Sequence, residues 1–111
     1  LTRGDLSRIT PKMIADAARR GDHIAQSILE DTGFYLGVWL GGMVSLLDPE
    51  AIVIGGGVAQ IGKPLFDKIR ETVPRYTINR AFVPSLPIVP AKLQKDVGIY
   101  GAASLFLPAA E

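Results

Sequence analysis

The sequence predicts an α/β fold, and three observations predict it. A short run of β-branched residues at positions 51–54 lies between Pro49 and a triplet of glycines. A long apolar-periodic segment precedes this run, and a shorter one follows the glycines. Helices and buried strands that alternate in this way are typical of a sheet covered by helices. The predicted order is helix, long helix, strand, helix, strand, helix.

Local signals predict the first two helices. Thr10 is a typical N-cap, and Pro11 after it favours a helix over residues 11–20, which Gly21 ends. Asp22 is the predicted cap of a long helix over residues 24–47, where apolar residues keep a period near 3.6. From Asp22 to Leu47 this segment is about 39 Å long at 1.5 Å per residue.

Three glycines form a stripe on the long helix. Gly33, Gly37 and Gly41 are four residues apart, so they share one face. Each costs about 1 kcal/mol of helix propensity relative to alanine. We therefore expect a neighbouring element to pack closely against this stripe, in preference to direct contact with a ligand.

The remaining elements are a buried strand, a helix, a proline-containing strand and a closing helix. The apolar strand at 51–54 is predicted to be fully buried and central in its sheet. Residues 63–73 predict a helix that Pro74 closes, and residues 97–107 predict an apolar helix. Residues 87–91 are predicted to be extended. Pro90 is expected at an edge or end position, because proline lacks the backbone N–H that would donate to a neighbouring strand. Two strands make no stable sheet alone, so further strands are expected from a longer parent chain or a second copy.

Composition argues against several classes of protein. The 111 residues fit one domain, and the absence of cysteine excludes disulfides and thiolate metal sites and favours the cytoplasm. The net charge of +1 comes from interspersed charges, so no nucleic-acid partner is indicated. The uncharged run at 32–47 is shorter than the about 20 residues of a membrane span. Because the chain opens on Leu1 and a polar stretch, we expect it to be a fragment.

The glycine triplet is the main candidate for chemistry. Gly55, Gly56 and Gly57 follow a predicted strand and precede a helix, where an open α/β sheet presents its ligand crevice. Glycine lets the backbone turn sharply and approach a flat ligand. The triplet lacks the Lys-Ser/Thr pair of a Walker A loop and the spacing of a dinucleotide fingerprint. A tight strand-to-helix turn is the structural alternative.

Other polar residues give weaker signals. The single histidine, His23, excludes a histidine-rich metal site and is expected to be solvated. No carboxylate pair or serine has the context of a catalytic group, so neither a catalytic residue nor a metal ligand is predicted. Four cations could edge a phosphate-binding cleft, although a solvated surface is the favoured interpretation. They are Arg75, Arg80, Lys92 and Lys95.

Residues 46–58, which read LLDPEAIVIGGGV, resemble the DPE-x-IVIGGG segment of ROK-family sugar kinases, and of bacterial glucokinases in particular. The resemblance extends to residues 25–47, to residues 66–73 and to GIYGAA at 98–103. It implies a partial actin-like (ribonuclease H-like) ATPase lobe, with residues 1–111 forming the second lobe and closing helix and the N-terminal lobe absent. It also implies that six residues lie beside the adenosine of ATP, namely Gly55, Gly56, Gly57, Val58, Ala59 and Gln60.

The resemblance further implies a parent enzyme that uses ATP with Mg to phosphorylate a hexose, most simply glucose at its 6-hydroxyl. The family's first phosphate loop, catalytic aspartate, Glu-x-x-His segment and zinc-binding cysteines precede the region covered here, and none of these patterns occurs in this sequence. A structural zinc would therefore lie upstream. We expect the isolated chain to be inactive, since one wall of a cleft does not position both substrates. Glucose-dependent ADP formation by the pure chain would contradict this.

Two other functions remain open from the sequence. ROK repressors share this domain and add an N-terminal helix-turn-helix, so the chain could be the sugar-sensing part of such a repressor. An upstream DNA-binding segment in the parent gene would distinguish the two. The chain could also be a dimerisation module that uses its long helix. A homo-oligomer, or association with the N-terminal part of the same protein, is expected.

Overall fold

The computed structural model describes residues 6–78, 80, 85–93 and 96–106. Four α-helices and two strands occur in these residues: α1 (Pro11–Arg19), α2 (His23–Leu47), β1 (Ile52–Ile54), α3 (Lys63–Thr72), β2 (Ile88–Pro90) and α4 (Val97–Ser104). Three short 3-10 turns accompany them, at Leu6–Arg8, Val58–Ile61 and Val73–Arg75. The predicted order of helices and strands is confirmed.

Side-chain caps fix where α1 and α2 begin. The Thr10 hydroxyl accepts a hydrogen bond from the Met13 amide at 3.3 Å. The Asp22 carboxylate accepts one from the Ala25 amide at 2.9 Å. Asp48 ends α2 in the left-handed region, with φ 45°. These two hydrogen bonds confirm both predicted caps, Thr10 and Asp22. Each satisfies an amide that the first turn of a helix leaves without a partner.

The glycine stripe of α2 is the contact with α3 and the turn after it. A Cβ added to Gly33 would lie 2.7 Å from Lys68 Cβ, and one added to Gly37 would lie 2.5 Å from Thr72 Cβ. At Gly41 the nearest atom would be the backbone carbon of Tyr76, at 2.9 Å. These distances leave no room for a side chain. The predicted close packing is confirmed.

The core lies beneath this contact. Leu65, Ile69 and Val73 are its largest fully buried side chains, and they lie on one face of α3 and the 3-10 turn after it. Leu29, Leu40 and Val44 of α2 belong to the same cluster. α3 in turn packs against β2 and against the 3-10 turn Val58–Ile61 in the loop that follows β1.

The sheet is parallel, with Ile52 opposite Ile88 and Ile54 opposite Pro90. Pro90 is the last residue of β2, and the next amide, that of Ala91, donates to the Ile54 carbonyl at 2.9 Å. The predicted end position of Pro90 is therefore confirmed.

The expected full burial of β1 is wrong for this chain. Val53 is 63% exposed, and Ile52 and Ile54 are only half-buried. Within the described residues β1 pairs with β2 alone, so it is not central. Apolar residues on both faces of a strand predict that both faces are covered in the complete fold. The described helices cover only one face of β1.

Two helix ends differ from prediction. α3 ends at Thr72, and Val73 begins a 3-10 turn that contains Pro74. α4 ends at Ser104, while Leu105 and Phe106 form a turn and Leu107 lies outside the described residues. Ile99 and Tyr100 of α4 are exposed. None of the helices in the described part of the chain has the length and apolar character needed to cross a membrane.

Candidate functional site

The loop after β1 combines a glycine turn with open space beside it. Gly56 has φ 85°, a conformation that other residues rarely adopt. Gly57 precedes the 3-10 turn Val58–Ile61, and Gly62, with φ 78°, connects that turn to α3. A Cβ added to Gly56 or Gly57 would have no atom within 4 Å. The loop therefore leaves its backbone accessible to a ligand.

This loop borders a groove of about 770 Å³ that is open to solvent. The groove is bounded by α1, the glycine loop with its 3-10 turn, α3 and the end of β2. Its lining residues are Lys12, Arg19, Gly56, Ala59, Gln60, Gly62, Lys63, Phe66, Arg70, Pro90 and Ala91. Pockets of roughly 300 to 1,000 Å³ are typical of small-molecule sites.

The groove has a positive charge. Its lining includes four cations and no carboxylate. Two carboxylates lie next to the cations: Asp16 binds Arg19 at 2.6 Å, and Asp67 binds Lys63 at 2.5 Å and Arg70 at 3.5 Å. Four positive charges against two negative ones leave a charge of +2. Such a surface attracts anionic ligands.

Arg70 is the most firmly held of the four cations. Its guanidinium donates to the Ile88 carbonyl at 2.7 Å and lies 5.6 Å from the centre of the Phe66 ring. A cation over an aromatic face at this distance is favourable. Arg70 therefore joins α3 to β2 and fixes one side of the groove.

The structure separates the six predicted nucleotide-contacting residues into two groups. Gly56, Ala59 and Gln60 line the groove. Gly55, Gly57 and Val58 are neighbours in the chain but do not line it. Val58 begins the 3-10 turn that carries Ala59 and Gln60, and successive side chains of such a turn point in different directions, so Val58 does not share their cavity.

Sequence reasoning did not identify the cations of the groove. For the four cations that could edge a phosphate cleft, the sequence favours a solvated surface instead. Arg75, Arg80 and Lys92 are exposed and do not line the groove, and Lys95 lies outside the described residues. Arg75 instead binds Glu71 on the surface of α3, at 2.8 Å.

A signal for the missed cations exists within each helix. Lys12 and Arg19 are seven residues apart on α1, and Lys63 and Arg70 have the same spacing on α3, so each pair shares a face. The helix spacing could have grouped each pair. It could not have shown that the two faces border the same groove.

The described residues hold no metal centre of their own. No group of three or more His, Cys, Asp or Glu side chains in this part of the chain is arranged to bind a metal ion. His23 is exposed at the start of α2.

Comparison with known proteins gives the family. The family model described as "ROK family" matches residues 1–109, nearly the whole chain. The chain belongs to the ROK family. Its α/β architecture, with a parallel pair of strands and a glycine loop, accordingly matches part of the actin-like ATPase fold of ROK sugar kinases.

Relatives of this ROK chain include both enzymes and a regulator. It is 36% identical over 102 residues to a glucokinase of Thermotoga maritima, covering 92% of this chain and 32% of that protein. It is 32% identical over 104 residues to the DNA-binding transcriptional dual regulator NagC of Escherichia coli, covering 94% of this chain and 25% of the regulator. The chain thus spans about a third or less of the length of these curated relatives.

A solved structure matches the fold closely. A ROK family glucokinase from Streptomyces griseus, in complex with glucose and AMPPNP, superposes with a TM-score of 0.75 at 35% identity. The match covers 85% of this chain and 30% of that one. The ROK chain therefore shares the local architecture of a sugar kinase over most of its length.

Proposed function

We propose that this chain forms the nucleotide-contacting part of an ATP-dependent hexose kinase of the glucokinase type, which phosphorylates glucose at its 6-hydroxyl. One observation carries the proposal. Gly56, Ala59 and Gln60, at the end of a parallel strand, line a positively charged groove of about 770 Å³. The carboxyl end of such a strand is where open α/β sheets bind ligands, and the volume suits a nucleotide.

The lining of the groove fits the two chemical parts of ATP. Ala59, Phe66, Pro90 and Ala91 offer apolar atoms to the flat base, while the cations of α1 and α3 offer charge to the phosphates. The exposed glycine backbone at Gly56 permits close approach. Phosphoryl transfer depends on positioning of the substrates and on neutralisation of charge. This groove would position the nucleotide and would neutralise part of the phosphate charge.

Catalysis itself would need residues that the described part of the chain does not bring together. The described residues contain no group of three or more His, Cys, Asp or Glu side chains arranged to hold a metal ion. The sugar and the catalytic base would likewise be held by other parts of a parent protein. We therefore propose that the chain positions nucleotide and is inactive alone. We propose the cytoplasm as the compartment in which such a kinase acts.

The relatives support the proposal of a kinase, and one of them supports an alternative function. The relative from Thermotoga maritima is named a glucokinase, and the structure from Streptomyces griseus holds glucose and AMPPNP. The similarity to NagC supports a second candidate, the sugar-sensing domain of a ROK repressor. Nucleotide affinity in the groove favours the kinase. A helix-turn-helix upstream in the parent gene would favour the repressor.

A pair of tryptophan substitutions tests the nucleotide groove. Gln60→Trp places a large ring in the groove, whereas Val58→Trp places the same ring on the same 3-10 turn outside it. Both side chains are exposed, so the fold should tolerate both changes. With a fluorescent ATP analogue, we expect Gln60→Trp to raise the Kd at least about tenfold, equivalent to about 1.4 kcal/mol, and Val58→Trp to leave it unchanged.

The two variants also separate the possible failures. No binding of the analogue by the unsubstituted chain at millimolar concentration would contradict the proposed function. Equal affinity in the unsubstituted chain and in Gln60→Trp would mean that the nucleotide binds elsewhere. Circular dichroism and a melting curve for each variant would establish that the fold is retained.

A further inference from the structure

The cations of the groove differ in how far they are already engaged. Lys63 and Arg70 share the carboxylate of Asp67, and Arg70 also binds the Ile88 carbonyl. Arg19 is paired with Asp16. A phosphate that bound any of these three would compete with a partner that the protein already provides.

Lys12 is the exception. Within residues 6–78, 80, 85–93 and 96–106 its ammonium has no hydrogen-bond or ion-pair partner, and its side chain is exposed at the start of α1. Asp16, four residues later and within reach along the helix, binds Arg19 instead. An anion at Lys12 would therefore gain a charge-assisted hydrogen bond without displacing an existing one.

The position of α1 aims Lys12 at the groove. α1 packs against the 3-10 turn Val58–Ile61, the same turn that carries Ala59 and Gln60. Lys12 and Arg19 lie two turns apart on one face of α1, about 10 Å along its axis, and both line the groove. Long cationic side chains at this separation can both reach a di- or triphosphate chain.

We propose that α1 forms an anion subsite in which Lys12, assisted by Arg19, binds the phosphates of the ligand. This subsite would make the groove prefer a phosphorylated nucleotide over the uncharged nucleoside. The identity of the ligand as a nucleotide rests on the proposed function.

The test compares ADP with adenosine on the 111-residue chain. Isothermal titration would give the Kd of each for the unsubstituted chain, for Lys12→Met, for Lys12→Arg and for Arg75→Met. We expect Lys12→Met to raise the Kd of ADP about tenfold, the usual size of a lost charge-assisted contact, and to change that of adenosine less than about twofold. Lys12→Arg, which keeps the charge, should restore most of the ADP affinity.

Arg75→Met is the matched control for net charge. It removes one exposed cation, as Lys12→Met does, but Arg75 binds Glu71 on α3 and does not line the groove. We expect its ADP affinity to equal that of the unsubstituted chain. If both Met variants weaken ADP by the same factor, long-range charge explains the effect and the subsite is overturned.

The remaining outcomes are also decisive. ADP and adenosine binding that Lys12→Met leaves unchanged would overturn the subsite and leave the proposed function standing. Equal losses for ADP and adenosine would show that Lys12 acts on the fold or the base and would also overturn the subsite. Failure of the unsubstituted chain to bind either ligand would overturn both proposals.

Discussion

Two glycines of α2 differ in whether the packing of the helix requires the absence of a side chain. A Cβ on Gly37 would lie 2.5 Å from Thr72 Cβ, in the buried contact with α3. A Cβ on Gly42, five residues later, would meet no atom within 4 Å. The helix pays the same propensity cost at both positions. Only at Gly37 does the packing of a neighbouring helix require it.

We therefore expect opposite effects from one substitution at two sites. Gly37→Ala should lower the free energy of unfolding by about 1 to 3 kcal/mol, because overpacking forces α2 and α3 apart. Gly42→Ala should raise it by up to about 1 kcal/mol, through helix propensity alone. Urea denaturation followed by circular dichroism measures both. A Gly37→Ala variant as stable as Gly42→Ala would contradict the close contact between the two helices.

The long helix α2 connects the packing of the other helices. It packs on α1, on α3 and on the turn after α3. Asp22 begins it, and its carboxylate accepts from the Ala25 amide. α2 packs against both helices that border the groove. The residue at which α2 begins therefore also affects the position of α1.

Removing the cap should cost stability in a specific way. Asp22→Ala leaves the Ala25 amide without its partner and should lower the free energy of unfolding by about 1 kcal/mol. Asp31→Ala removes the same charge from an exposed position within α2 and should change stability by less than about 0.5 kcal/mol. Thermal denaturation compares the two. Equal losses would indicate that net charge, and not capping, stabilises this end.

Elements with local signals were predictable from the sequence, and those that depend on distant partners were not. Thr10 and Asp22 cap the helices they were predicted to cap, since a cap acts within one turn. The exposure of Val53 could not be predicted, because burial of a strand depends on what covers it. The shared groove of Lys12 and Lys63 depends on α1 packing against a turn that is far away in sequence.

At the scale of the whole molecule, the groove is a tertiary feature. Four parts of the chain border it: α1, the loop after β1, α3 and the end of β2. The buried contact between α2 and α3 keeps these parts in place. Unfolding should therefore abolish nucleotide binding. In the folded chain, the nucleotide should contact only the residues of the groove.

The most direct test of nucleotide binding in the groove is an NMR titration of the 15N-labelled chain with AMPPNP. We expect shifts of the amide signals of Gly56, Ala59, Gln60 and Lys63, which line the groove, while Gly37 and Thr72 in the α2 to α3 contact stay unchanged. Saturation of the groove signals with a single Kd would support the nucleotide-contacting function. Shifts confined to residues outside the groove, or no shifts at millimolar AMPPNP, would contradict it.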